Sequence, residues 1–91
     1  MPTCADQTDC TAKWGRALHW VLEHNPAIIE STDTLIRTAP AEVAGPNYLQ
    51  VTRIPETGGG ATLDLRVGCA SLLIGCDWKR LKRDFVEAVG Q

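Results

Sequence analysis

The chain has 91 residues, 44% of them apolar and 22% charged, with a formal net charge of −2. That length admits one domain of modest stability, and the composition excludes a disordered or collagen-like chain. No apolar run approaches the roughly 20 residues that cross a bilayer, and the slightly acidic balance excludes a broad electrostatic drive toward nucleic acid or acidic membranes, so any anion binding must be local.

The opening residues, MPTCADQTDC, hold no basic segment followed by an apolar one, so no secretory signal is expected. A cytoplasmic chain follows from that reading, and in it the four cysteines would stay thiols or bind metal rather than form disulfides.

From residue 9 to 23, Cys10, Trp14, Ala17, Leu18, Val21 and Leu22 recur at helical spacing, with Thr8 or Asp9 as cap. Asn25-Pro26 interrupts the pattern: Asn25 can end the first helix, and it also suits the N-cap of a second with Pro26 at N1. Ile28, Ile29, Thr32, Leu35, Ile36 and Ala39 keep a 3.6-residue period, so the spacing predicts a short helix there despite β-branched residues and the polar STDT. Pro40, Gly45 and Pro46 mark a loop, with one helical turn at 41–43.

YLQVTRI at 48–54 is rich in strand formers and is ended by Pro55. PETGGG then supplies a hairpin connection. In ATLDLRV, Ala61, Leu63, Leu65 and Val67 alternate with polar residues, which predicts a strand with one buried face, antiparallel to the first. CASLLIG at 69–75 is read as a third, buried strand, and Asp77 as the N-cap of a final helix. The predicted order is α-α-β-β-β-α. It makes an α+β, two-layer domain: a short antiparallel sheet of about three strands packed by N-terminal helices and a C-terminal helix.

No chemistry-bearing motif emerges. Cys4, Cys10, His19 and His24 follow a CxxxxxC, HxxxxH order, but the cysteine spacing is too wide for a zinc finger and the histidines fall on different helix faces. With 69–75 as a strand, Cys69 and Cys76 would fall on opposite faces and could not share a metal, whereas one continuous helix there would bring them to one face and reopen the metal reading. There is no CxxC, and Cys76 beside the basic cluster is read as a packing residue. Gly58, Gly59 and Gly60 precede a strand rather than open a helix, so they are not a P-loop. No catalytic residue, metal site or cofactor is assigned.

The basic cluster Lys79, Arg80, Lys82 and Arg83 stands out. On a helix with Trp78, Leu81, Phe85, Ala88 and Val89 inward, Lys79, Lys82 and Arg83 share one flank and Arg80 lies toward the back. Ion pairs Arg80–Asp84 and Arg83–Glu87 are expected at i,i+4. Cations in the first turns oppose the helix dipole, a local conflict that argues for use. Trp14 and Trp78 are expected in the core, whereas Trp20, at the edge of the first stripe, either seals the core periphery or anchors a partner.

The expected function is a small non-catalytic module that binds and modulates or inhibits another protein, of the size of phage or mobile-element accessory proteins. Its partner-binding residues would be Lys79, Lys82, Arg83, Arg80 and Trp20, facing an acidic surface. Nucleic-acid binding by the same helix and a zinc- or thiol-dependent role are the alternatives. No membrane partner is expected, and a homodimer through a sheet edge or an apolar helix flank is open.

Overall fold

The computed structural model describes residues 1–39, 47–69 and 78–90, apart from the side chains of Asn47 and Cys69. The expected turn at 41–43, the strand beyond Cys69, and Cys76 and Asp77 lie outside the described residues. The elements in chain order are β1 (Thr3–Cys4), α1 (Gln7–His24), β2 (Ile28–Ser31), β3 (Leu35–Thr38), β4 (Asn47–Pro55), β5 (Ala61–Cys69) and α2 (Trp78–Val89). The strands form one antiparallel sheet in the order β1-β5-β4-β3-β2. Both helices contribute to the core on a single face of that sheet, which makes a small α+β domain.

Helix α1 begins two residues earlier than its apolar stripe requires, because Asp6 caps it by accepting from Asp9 N–H at 2.8 Å. Asp9 reaches back to Ala5 N–H at 2.9 Å, a reciprocal arrangement close to a capping box. Cys10, Ala17, Trp20 and Val21 are buried, and Trp14 and Leu18 pack against the core from its margin. Leu22, expected inside, is exposed.

The second helix is replaced by the hairpin β2–β3. Ile28 and Ile36 fit one helix face and also one side of a hairpin, Ile36 alternates with Thr38, and β-branched side chains decide for strands. The STDT segment is the turn: Thr32 Oγ1 accepts from Thr34 N–H at 3.2 Å and Leu35 N–H at 3.1 Å. Trp14 Nε1 donates to Thr32 O at 3.0 Å, so the first helix anchors that turn. Asn25 does not start a helix. It ends α1, and its buried amide donates to Thr38 Oγ1 and Ala39 O while its Oδ1 accepts from Ala27 N–H.

Strands β4 and β5 pair along nine residues, joined through Gly58 and Gly59, both at positive φ as a tight connection demands. Ala61, Leu63 and Leu65 face inward as the alternation predicts, and Leu49 and Val51 of β4 are buried with them. With Ile36, Val21, Phe85 and Val89 they form the core, in which burying Phe85 alone contributes about 2–3 kcal/mol. Among the described residues the sheet therefore has five strands, more than the three expected, with β1 and the hairpin β2–β3 at its two sides.

The amino-terminal arm corrects the cysteine expectation. Cys4 and Cys10 are joined in a disulfide, with Cα atoms 4.9 Å apart. Lys13, itself buried, reinforces the bridge by donating to Thr3 O at 2.7 Å and pairing with Asp9 at 3.3 Å.

Candidate functional site

Helix α2 carries the basic cluster on its first turns, and the structure buries Trp20 and exposes Trp78, which was expected in the core. Trp20 is only 4% exposed, stacked on His24 at 4.1 Å and edge-on to Phe85 at 5.2 Å. It is a core residue and is not presented to a partner. Trp78 is 47% exposed. Its direction around the helix matches that of Phe85, within about 20° at 100° per residue. Yet it lies two turns earlier, past the packed core, so the stripe continues while the layer beneath it does not.

The ring of Trp78 is bracketed by cations, with Lys79 Nζ 5.4 Å and Lys82 Nζ 5.6 Å from its centroid. Lys79, Arg80 and Arg83 are exposed and Lys82 is half-buried. The ion pair expected between Arg83 and Glu87 does not form, and among the described residues no carboxylate stands within ion-pair distance of Lys79, Lys82 or Arg83.

Beside this turn lies a groove of about 370 Å³ lined by Asp64, Arg66, Val67, Trp78 and Lys82. Val67 belongs to the inward side of β5, whereas Asp64 and Arg66 belong to its outer side. A concavity that meets both sides of one strand follows that strand's edge. Arg66 is bound to Asp64 at 3.4 Å, so the one acid in the groove is already engaged. Sequence reading missed Arg66 and the exposure of Trp78. The seven-residue lead of Trp78 over Phe85, and the outward register of Arg66 in ATLDLRV, were the available signals.

A second concavity of about 350 Å³ separates α1 from α2, with Ala12, Gly15 and Ala88 among its lining residues. Its polar groups are already occupied: His19 pairs with Glu23 at 2.5 Å, and Arg16 donates to Val89 O at 3.0 Å, satisfying the end of α2. The thiol pair weighed for zinc is consumed by the Cys4–Cys10 bond, and His24 Nδ1 lies 2.8 Å from Trp20 O. Among the described residues no three His, Cys, Asp or Glu side chains gather as metal ligands, and no helix is long and apolar enough to cross a membrane. The chain matches no protein-family model, no curated protein and no solved structure.

Proposed function

We propose that this protein is a non-catalytic binding module that modulates or inhibits another protein by engaging an acidic surface through the start of α2. The observation that carries the reading is Trp78, half exposed and flanked by Lys79 and Lys82 with Arg83 on the same flank. An aromatic ring set among uncompensated cations is the composition of an interface centre, where Trp and Arg are enriched and desolvated charge pairs define register. Trp78 takes the anchoring role expected of Trp20.

Replacing Lys79, Lys82 and Arg83 together by Glu tests the reading. The triple variant keeps the far-ultraviolet spectrum and melting behaviour of the parent and loses the partner recovered by affinity capture from the native host. Full retention of that partner by the folded variant refutes the assignment.

The same observation favours one second reading, since a ring among lysines also suits a stacked base and its phosphates. Binding to single-stranded DNA or RNA that falls steeply with added salt would select it. A cytoplasmic site of action belongs to the primary proposal. The Cys4–Cys10 bond pulls against it, because such bonds persist in oxidising compartments. Trapping thiols at lysis and sizing peptide 1–13 before and after reduction decides the point.

A further inference from the structure

Strand β1 covers β5 only at Ala61 and Thr62, with one further bond from Leu63 N–H to Pro2 O at 2.8 Å. That bond fixes which way the backbone faces. Odd-numbered residues of β5 turn their N–H and C=O groups toward β1, and the even-numbered ones face β4, where Asp64, Arg66 and Gly68 stand opposite Thr52, Gln50 and Tyr48. Beyond Leu63 the groups of Leu65 and Val67 therefore point off the sheet, and no described strand pairs with them. This edge, free of any described strand, is the one the groove of Arg66, Val67, Trp78 and Lys82 follows.

Resting on the protein-binding reading above, the geometry points to an extended acidic segment of a partner protein as the occupant, added as a strand along β5 at Leu65–Val67. It runs antiparallel to β5, in line with β1, so that its carboxyl end meets Pro2. Main-chain hydrogen bonds to Leu65 and Val67 supply affinity, and alternate side chains supply selectivity. Residues on the outer side meet Arg66, and those on the helix side meet Trp78 and Lys82. Charge complementarity names the occupant: Arg66 and Lys82 line the groove against a single acid, Asp64, which pairs with Arg66 and leaves Lys82 in excess, and Lys79 stands over the ring of Trp78 beside it. The strand already seated there, β1, shows that this edge accepts antiparallel addition.

The probe is a short N-acetylated peptide of alternating Glu and Val, compared with a version N-methylated on the residues that would bond to β5 and with a Lys-Val version. Amide resonances and hydrogen exchange of the full chain are followed by NMR. The acidic peptide is expected to shift and protect the Leu65 and Val67 amides. N-methylation, and separately the substitution pair Arg66→Glu with Lys82→Glu, each weaken binding by about tenfold or more, and the Lys-Val peptide does not bind.

Binding that moves residues 79–83 but leaves the Leu65 and Val67 amides unprotected, with the N-methylated peptide equally effective, overturns strand addition while leaving the α2 interface standing. If no peptide binds at millimolar concentration yet the triple Glu variant still loses its captured partner, strand addition also fails. Saturable binding of a short oligonucleotide with no response to the acidic peptide overturns both readings.

Discussion

The ring of Tyr48 lies over Gly68 on the neighbouring strand, so closely that a Cβ at Gly68 would fall 1.8 Å from its Cζ. Gly60 is crowded differently: a Cβ there would stand 2.4 Å from the backbone oxygen of Cys4. Tyr48 is 44% exposed and its ring can swing into solvent, whereas Cys4 is held by a disulfide and by strand pairing. Gly68→Ala is expected to cost less than about 1 kcal/mol and Gly60→Ala about 2–3 kcal/mol, the range of overpacking. Urea unfolding of the two variants checks the order.

Breaking the Cys4–Cys10 bond as Cys4→Ala with Cys10→Ala should lower stability by about 2 kcal/mol, the chain-entropy value for so short a loop. Peptide 1–13, which tryptic cleavage after Lys13 releases with both cysteines, is expected to gain two hydrogens on reduction. The urea midpoint of the double variant gives the energy.

Asp9 titrates below the usual carboxylate range, chiefly because the Ala5 N–H bonds its ionised form; burial opposes this, and a hydrogen bond and charge from Lys13 and the charge of Arg16 add to the lowering. A lowered folded pKa contributes stability that is present above the unfolded pKa and lost as pH falls through the folded one. Part of the acid destabilisation below about pH 4 is therefore assigned to Asp9. Asp9→Asn should flatten that limb of the urea-midpoint profile between pH 5 and 2 while leaving the rest of its shape unchanged.

Asn25 joins the end of α1 to β3 through Thr38 and Ala39. Asn25→Ala leaves the Ala39 carbonyl and the Ala27 N–H without their side-chain partner, while the Thr38 hydroxyl keeps the Leu49 N–H, and should cost about 1–3 kcal/mol. Loss of hydrogen-exchange protection in the β2–β3 hairpin, ahead of β4 and β5, would locate the effect.

Acrylamide should quench mainly Trp78. Trp78→Phe is expected to remove most of the accessible emission, and Trp20→Phe the shielded part, because Trp20 lies beneath His24 and against Phe85. Equal accessibility of the two would contradict the interface assignment.

Strands with one buried face were legible because their period has no competitor: ATLDLRV reads as β5 and PETGGG as its hairpin. Ile28 to Thr38 misled because Ile28 and Ile36 suit both periods, while Ile29, which only a helix would draw inward, is exposed; only the Thr32 side chain, bonding back to the following amides, reveals a turn. Strand β1 was invisible to periodicity, being two residues held by a covalent bond and by Lys13 rather than by pattern. At the site, the helix face was read in the right direction. Its depth was not, since a helical wheel records angle and omits where the underlying sheet ends.

Anchoring of the first residues also governs how the protein can be handled. Because Pro2 sits opposite Leu63 on an antiparallel neighbour, anything fused ahead of Met1 is directed along β5 toward Arg66 and Trp78. An affinity tag placed there would compete with the partner it is meant to recover, all the more so if it is acidic. Attached after Gly90, beside Arg16, it would leave from the far end of α2 and keep the groove clear.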